Sequence, residues 1–295
     1  MRLLFLFQKC VAALAVLGIL AGCATTMPQP EQVLAVPAPA GRYAAIVVDA
    51  RTGKQLFEMN STAPRYPASL TKMMTLYLVF EALNAGRITR DTQIPVSAHA
   101  ASQPPSKLRL KPGETIDVDT AVRALAVKSA NDVAVAVAEY LGGSEEQFAA
   151  QMTATARRIG MRNTVFRNAS GLPDDDQHTT ARDMAVLGMA LRQRFPQYYT
   201  YFSATDFVFR GKQVRGHNDM LGRVRGVDGI KTGYIRASGF NIVTSYDADG
   251  RRIVVVVMGA RSARERNAHA EALLERALSP SPGDARLVFA DQPPM

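Results

Sequence analysis

Apolar residues along this chain follow either the short runs of strands or the wider spacing of helices. The strand pattern occurs at both ends of the part that is expected to fold. Residues 43–50 and 55–59 are short apolar runs separated by a polar turn, which predicts a β-hairpin. From Ser69 to about Ala85 the apolar residues recur at a helical spacing, and Pro67 stands just before them. The folded part is therefore predicted to begin with two strands and a helix.

The middle of the chain is predicted to be helical, and its last part to return to strands. We expect helices with loops between them at 120–128, 132–141, 145–159 and 180–195. Three β-rich runs and a closing helix are then predicted at 227–234, 239–246, 252–258 and 261–278. Joining the two early strands to the three late ones gives a fold of the α/β (α+β) class, with one sheet, helices against it and a helical insertion.

The first residues have the pattern of an export signal. Arg2 and Lys9 flank a polar start, and the apolar stretch that follows is too short for a convincing membrane span. Leu20-Ala-Gly-Cys23 then resembles a bacterial lipobox. We predict a lipoprotein-type signal peptide at 1–22 and a lipid on Cys23 that anchors the protein to a membrane. Ordinary cleavage nearby, giving a soluble exported protein, is the alternative.

The remaining boundaries follow from composition. Residues 23–41 are rich in Pro, Ala and Gln and are predicted to be a flexible linker, while the Pro-rich segment 279–295 is predicted to be a disordered tail. The folded domain is expected at 42–278, in the periplasm or cell envelope. Because Cys10 would be lost with the signal, only Cys23 would remain, and no internal disulfide is expected.

Composition and charge restrict the class of partner. A chain of 295 residues with 47% hydrophobic and 21% charged residues fits one sizeable globular unit. The net charge of +9 favours association with an anionic cell wall or lipid surface. Its basic residues are scattered and lack a zinc spacing or RNA-binding motif, so no nucleic acid partner is expected. The histidines have no ligand spacing, and Asp174-Asp-Asp176 is typical of a solvated loop, so neither metal nor cofactor is expected.

Three short motifs carry the candidate chemistry, and they occur in the order Ser69-Leu-Thr-Lys72, Ser129-Ala-Asn131 and Lys231-Thr-Gly233. Ser69 and Lys72 would share one face of a helix, so the amine can accept the hydroxyl proton. Lys72 can do this only if burial or a second cation favours its neutral form, and Lys231 is a candidate for that cation. Taken alone, the pair would more simply be a helix N-cap and a solvated lysine.

The second motif lies in the predicted break between two helices. Ser129 can relay a proton to a leaving amine, and the Asn131 amide can bind the substrate backbone and orient Lys72. Ser and Asn are also common turn residues, so this motif alone would indicate only a turn.

The third motif lies near the end of a predicted strand. Lys231 and Thr232 suit a substrate carboxylate, one by charge and the other by a hydrogen bond. Gly233 would let a peptide approach the strand edge closely. The backbone N–H groups of Tyr234 and Ser69 can together form an oxyanion hole. A plain strand lysine is the simpler alternative for Lys231.

The sequence resembles the low-molecular-mass penicillin-binding D-alanyl-D-alanine carboxypeptidases, serine peptidase family S11, over about residues 42–278. The resemblance depends on four longer strings: Tyr66-Pro-Ala-Ser-Leu-Thr-Lys72, Lys128-Ser-Ala-Asn-Asp132, Asn168-Ala-Ser-Gly-Leu-Pro173 and Val227-Asp-Gly-Ile-Lys-Thr-Gly233. It implies a β-lactamase/transpeptidase-like fold, which has a five-stranded antiparallel sheet flanked by helices and a mostly helical subdomain.

The resemblance also implies roles for the motif residues. Ser69 would be the acyl-enzyme nucleophile, Lys72 its proton acceptor and Ser129 the third active-site residue, while Lys231 would bind the terminal carboxylate. The implied reaction removes the terminal D-alanine from peptidoglycan stem peptides, with β-lactam antibiotics as covalent inhibitors. Some relatives carry an Arg near the position of His217, and the histidine leaves the electrostatics there open.

Three alternatives remain from the sequence. A D,D-endopeptidase that cleaves peptidoglycan crosslinks uses the same motifs and differs in groove shape. A class A β-lactamase would need an acidic deacylation residue, where the chain instead has the string 168–173. A non-catalytic lipoprotein that binds wall peptides is disfavoured by the intact Ser69 and Lys72.

Overall fold

The computed structural model describes residues 41–279. Its strands, in chain order, are β1 (Ala44–Asp49), β2 (Gln55–Met59), β3 (Gln93–Pro95), β4 (Thr115–Asp117), β5 (Asp206–Phe209), β6 (Lys212–Arg215), β7 (Val227–Ile235), β8 (Gly239–Ala248) and β9 (Arg251–Ala260). Five of them form one antiparallel sheet in the order β2-β1-β9-β8-β7. The predicted sheet, built from two early and three late strands, is confirmed.

The α-helices bring the intervening chain back against this sheet. They are α1 (Lys72–Asn84), α2 (Ala98–Ser102), α3 (Val118–Arg123), α4 (Asn131–Gly142), α5 (Glu145–Ile159), α6 (Ala181–Arg194) and α7 (Ala263–Leu278). Most of α1 is buried on all sides, as expected for a helix whose apolar residues are not confined to one stripe. It is the central helix of the mostly helical half of the domain.

Both faces of the sheet are covered, which explains the unbroken apolar run of β9. Val254 and Val256 belong to the core shared with α6, whereas Val255 and Val257 belong to a second core shared with α7. Successive side chains of a strand point to opposite faces, so a strand buried on both faces has no polar alternation. The central strands thereby hold β7 at the sheet edge.

The structure refines two predicted helices. The first begins as a 3-10 turn over Ala68–Thr71, and the α-helix starts only at Lys72. The second is α-helical over Val118–Arg123 and then widens into a π-helical turn over Ala124–Lys128. Neither local change of period alters the apolar pattern enough to be predicted from it.

Several predicted features lie outside the described residues: the signal peptide, the lipid on Cys23, most of the linker and the C-terminal tail. These boundaries stay predictions. Within residues 41–279, no helix combines the length and apolar character needed to cross a bilayer.

Candidate active site

The Ser69 turn precedes the central helix and exposes the candidate nucleophile. Ala68 has a left-handed backbone (φ 50°), and the Leu70 N–H donates to the Pro67 carbonyl at 3.2 Å. Lys72 is the first residue of α1, and its Nζ lies 3.4 Å from the Ser69 Oγ. The predicted serine–lysine pair therefore meets across a 3-10 turn, and Ser69 is not a helix N-cap.

Lys72 is fully buried and held by neutral acceptors. Its Nζ donates to the Asn131 Oδ1 at 2.7 Å and to the Ser170 carbonyl at 2.5 Å. Burial lowers the pKa of Lys72 well below its ordinary value, and the charge of Lys231 lowers it further. Asp132 lies near enough to oppose this shift without reversing it. The arrangement favours a neutral amine beside the serine hydroxyl.

The Asn168 loop supplies the carbonyl that accepts from Lys72. The Asn168 Oδ1 accepts hydrogen bonds from the backbone N–H groups of Ser170 and Gly171, at 3.3 and 2.7 Å. Gly171 has φ +83°, and a Cβ there would stand 1.8 Å from the Ala68 carbonyl oxygen. Only glycine therefore lets this loop lie against the Ser69 turn.

Ser129 and Asn131 occupy the predicted break between helices. Ser129 is left-handed (φ 60°), and its buried Oγ has no hydrogen-bond partner within residues 41–279. The Asn131 Nδ2 donates to the Pro104 carbonyl at 2.9 Å, while its Oδ1 accepts from Lys72. A strained residue with an unpaired hydroxyl, beside an asparagine whose amide oxygen and nitrogen are both bonded, is more than an ordinary turn requires.

Lys231 lies on the edge strand β7 and is also buried. Its Nζ donates to one group within the described chain, the Thr232 carbonyl at 2.9 Å. Burial and the neighbouring Arg266 charge lower the pKa of Lys231 to about 7. This ammonium thus has hydrogen-bonding capacity to spare, as a binding site for an anion needs.

Arg266 was missed by the sequence reasoning. It lies on α7, 4% exposed, and its guanidinium donates to the Asn267 Oδ1 at 3.0 and 2.8 Å. Burial lowers the pKa of Arg266 to about 10, and the carboxylate of Asp219 partly offsets this. A signal was present: Arg266 falls on the same helical face as Ala270 and Leu273, so a charge interrupts the apolar stripe.

Two residues of the sheet bring the Ser69 turn against β7. Asn241 is fully buried on β8, and its Nδ2 donates to the carbonyls of Tyr66 and Pro67 at 3.1 and 3.3 Å. On β7, a Cβ at Gly233 would stand 3.0 Å from the Ser69 nitrogen. The sequence reasoning assigned Gly233 to the approach of a substrate, but the chain that closely approaches it in the structure is the Ser69 turn.

These elements enclose one groove of about 510 Å³. The predicted residues that line it are Ser69, Ser129, Asn131, Thr232 and Tyr234, and Arg266 and His217 line it as well. Partial desolvation and the charge of Lys231 lower the pKa of His217. Lys72 and Lys231 are buried behind the wall of the groove. Cys23 is outside the described residues.

Residues 41–279 contain no group of three or more His, Cys, Asp or Glu side chains arranged to hold a metal ion. Asp176 instead pairs with Arg167 at 3.3 Å, and its N–H donates to the Asp174 carboxylate.

A serine beside a buried lysine, facing the edge strand of a five-stranded antiparallel sheet, defines the β-lactamase/transpeptidase-like class of protein. Comparison with known proteins narrows this class. The chain belongs to the peptidase S11 family, described as D-alanyl-D-alanine carboxypeptidase, which residues 32–262 match.

Individual relatives are consistent with this family assignment. The chain is 35% identical over 241 residues to the D-alanyl-D-alanine carboxypeptidase DacF of Bacillus subtilis, covering 80% of this chain and 61% of the relative. It spans about three fifths of the length of the curated relatives it matches first. The crystal structure of DacD from Francisella tularensis superposes with a TM-score of 0.79 at 31% identity, covering 88% of this chain and 75% of that one.

A further solved structure is similar over almost its whole length. Penicillin-binding protein D2 from Listeria monocytogenes, in its cefotaxime-bound form, superposes with a TM-score of 0.70 at 29% identity, covering 84% of this chain and 98% of that one.

Proposed function

We propose that this protein is a serine-type D-alanyl-D-alanine carboxypeptidase that removes the terminal D-alanine from peptidoglycan stem peptides and is inhibited by β-lactams. The observation that carries the proposal is the Ser69 Oγ 3.4 Å from the buried amine of Lys72, in a groove that is also lined by Thr232 and Arg266. The names of the relatives support the same activity.

Substrate recognition would begin at the terminal carboxylate. Lys231 and Arg266 supply positive charge, and the Thr232 hydroxyl supplies a hydrogen-bond donor next to them. Both cations are desolvated in the free protein, so an arriving carboxylate would restore favourable interactions that burial has removed. A free carboxylate at the end of the substrate is therefore the feature that this site would select.

In the acylation step, the Ser69 Oγ would attack the carbonyl of the penultimate D-alanine while Lys72 takes the hydroxyl proton. The N–H groups of Ser69 and Tyr234 would hold the developing oxyanion. The Ser129 hydroxyl would relay this proton from Lys72 to the departing amine of the terminal D-alanine, which leaves both residues in their starting protonation states. The C–N bond breaks, free D-alanine leaves, and an ester remains on Ser69.

In the deacylation step, water would hydrolyse this ester, with Lys72 again accepting a proton. A β-lactam presents an amide and a carboxylate in the same relation, and opening of its ring would leave an ester on Ser69. The cefotaxime-bound form of the Listeria relative supports this expectation.

We further propose that the protein acts in the periplasm or cell envelope, where peptidoglycan lies, and that a lipid on Cys23 anchors it. The support is the signal-like start and the Leu20-Ala-Gly-Cys23 string. Cys23→Ser should move the protein from the membrane fraction to the soluble fraction, and unchanged partitioning would contradict the anchor.

The test of the activity uses the full chain with a fluorescent penicillin and then with a pentapeptide ending in D-Ala-D-Ala. We expect a covalent label and released D-alanine, both lost in Ser69→Ala and both retained in Ser203→Ala, a control at an exposed serine. No label on the unmodified chain would contradict the acyl-enzyme mechanism. A label without D-alanine release, accompanied by cleavage of crosslinked muropeptides, would indicate a D,D-endopeptidase instead.

A further inference from the structure

One largely buried carboxylate close to the candidate active site has no part in the proposed reaction steps. Glu145 is the first residue of α5, and its side chain is 13% exposed. Its Oε1 accepts a hydrogen bond from the Ala169 N–H at 3.0 Å, and Ala169 belongs to the Asn168 loop. A hydrogen bond between a carboxylate and a backbone N–H is stronger than one between neutral groups. Glu145 therefore anchors the loop whose carbonyl accepts from Lys72.

A short series of hydrogen bonds leads from Glu145 to the lysine amine. The N–H of Ala169 donates to Glu145, and its carbonyl accepts from the Thr75 Oγ1 at 2.7 Å. Thr75 lies on α1, three residues after Lys72. The next carbonyl along the loop, that of Ser170, accepts from the Lys72 Nζ. Because Ala169 is held at both its N–H and its carbonyl, the Ser170 carbonyl is fixed relative to the amine.

Glu145 and Asp132 are carboxylates whose charges act on Lys72 and favour its ammonium form. Both are bonded to backbone N–H groups of loops, since Asp132 accepts from Leu108 and Leu110 at 3.1 and 3.2 Å. The hydrogen-bond partners of the Lys72 amine within residues 41–279 are neutral oxygens. The negative charge of Glu145 is therefore near the amine, while its hydrogen bond goes to the loop.

We propose that Glu145 is a positioning residue of the active site, which fixes the Lys72 amine by holding the loop whose carbonyl accepts from it. The inference rests on the proposed serine carboxypeptidase function and adds a residue on which its proton acceptor depends. Because Glu145 holds the loop as a carboxylate, its charge should also delay the loss of the Lys72 proton as pH rises.

A simpler role for Glu145 would be to stabilise α5, because acidic side chains are favourable in the first turn of a helix. Glu146 is the next residue of the same turn, and it is exposed. Both glutamates would serve the helix in this way, whereas the hydrogen bond to the Asn168 loop comes from Glu145. Glu146 is therefore a matched control for the charge and for the helix position.

The experiment measures the second-order rate constant for acylation of the full chain by a fluorescent penicillin between about pH 5 and pH 9. Glu145→Ala removes the acceptor of the Ala169 N–H, and we expect its highest rate to fall about tenfold. Glu145→Gln keeps an oxygen that can accept from this N–H, so its highest rate should match that of the unmodified chain. Since the glutamate charge raises the pKa of Lys72, its removal should move the rise in rate to lower pH.

Two controls separate this effect from other charges. Glu146→Ala and Glu146→Gln should change neither the highest rate nor its dependence on pH. His99 is an ionisable partner of Glu145, with its Nε2 3.3 Å from the Oε2, and Lys231 also acts on Lys72. Lys231 and Asp132 are kept in every variant. The shift caused by Glu145→Gln should persist in a chain that also carries His99→Gln, which removes the histidine titration.

The other outcomes contradict the proposal. An unchanged rate in Glu145→Ala, or an equal loss in Glu145→Ala and Glu145→Gln, would mean that the hydrogen bond to Ala169 does not set the rate. A rise in rate that stays at the same pH in Glu145→Gln would leave Glu145 with a purely structural role. A shift of the same size in Glu146→Gln would assign the effect to surface charge. Failure of the unmodified chain to react with penicillin would instead contradict the proposed function.

Discussion

The two buried lysines behind the groove lie on different elements, Lys72 on α1 and Lys231 on β7, and their surroundings differ. We call the side of α1 the helical wall and the side of β7 the strand wall. On the helical wall, the Lys72 Nζ has three oxygen partners, which are the Ser69 Oγ, the Asn131 Oδ1 and the Ser170 carbonyl. On the strand wall, Lys231 donates to one backbone carbonyl within residues 41–279, and the neighbouring charge that lowers its pKa is another cation, Arg266. Equal burial thus accompanies very different hydrogen bonding.

This difference indicates a division of tasks. A lysine whose nitrogen is bonded on every side is fixed in place, which suits a group that must exchange a proton with one particular hydroxyl. A lysine with unused donors beside a second cation lacks a partner, which suits the binding of an external anion. The contrast teaches that burial alone does not define the function of a charged residue; its hydrogen bonds do.

The largest expected effect comes from replacing each lysine with methionine, which tests whether the two lysines have different tasks. Lys72→Met should slow acylation by penicillin about 1,000-fold, because the proton acceptor is lost. It should not stabilise the fold, because the Asn131 Oδ1 and the Ser170 carbonyl lose their buried donor. Stopped-flow labelling with a fluorescent penicillin measures the rate, and urea unfolding measures the stability.

Lys231→Met should behave differently in both measurements. Since burial lowers the pKa of Lys231 to about 7, the folded protein carries a costly buried ammonium at pH 6. Removing it should raise the free energy of unfolding there by about 1 kcal/mol, while the KM for the pentapeptide rises. Stabilisation by both replacements, or by neither, would contradict the contrast between the two walls.

The next effect tests the contact that joins the Asn168 loop to the Ser69 turn. Gly171→Ala would place a methyl group 1.8 Å from the Ala68 carbonyl oxygen at a φ of +83°. We expect a loss of about 3 kcal/mol of stability and about 100-fold in acylation rate, because Ser69 and the Ser170 carbonyl are pushed apart.

Gly113→Ala is the matched control for this replacement. Gly113 has φ +84°, and a Cβ there would meet nothing within 4 Å. It should cost about 1 kcal/mol and leave acylation unchanged. Equal effects of the two replacements would mean that backbone strain alone, and not the contact with Ala68, sets the penalty at Gly171.

The smallest expected effect tests carboxylate binding by Lys231 through its dependence on pH. Lys231 is protonated below a pKa of about 7 and neutral above it, so the attraction for a carboxylate declines as pH rises. We expect kcat/KM for the pentapeptide, divided by that for the same peptide with a C-terminal amide, to fall about tenfold between roughly pH 6 and pH 8. The division removes the titration of Lys72, which acts on both substrates. A flat ratio would contradict carboxylate binding by Lys231.

The strands and helices near the site were predictable because their apolar periods are local properties of the sequence. The bounds predicted for the helix at 145–159 coincide with those of α5, whose N-cap Ser144 and C-terminal Gly160 define clear ends. The order of the three motifs also indicated the chemistry. These features require only neighbours in the chain, so one sequence contains enough information.

Residues that act through contacts between distant segments were not predictable in the same way. The carboxamide of Asn241 holds carbonyls about half a chain away, and the need for glycine at 171 arises from Ala68. Ser129 was placed in a helix break, but its unpaired hydroxyl follows from packing around it. A polar residue at a buried strand position carries no sign of its partner until the strands are assembled.

The pairing of the first strand with the last has a consequence for how the protein can be monitored. β1 lies between β2 and β9, so the N-terminal hairpin reaches β7 and β8 only through the final strand, Arg251–Ala260. A proteolytic fragment that stops short of this strand would retain every motif while leaving its sheet unclosed. Uptake of a fluorescent penicillin would then report that the polypeptide has been made at least as far as this strand and that its sheet has closed.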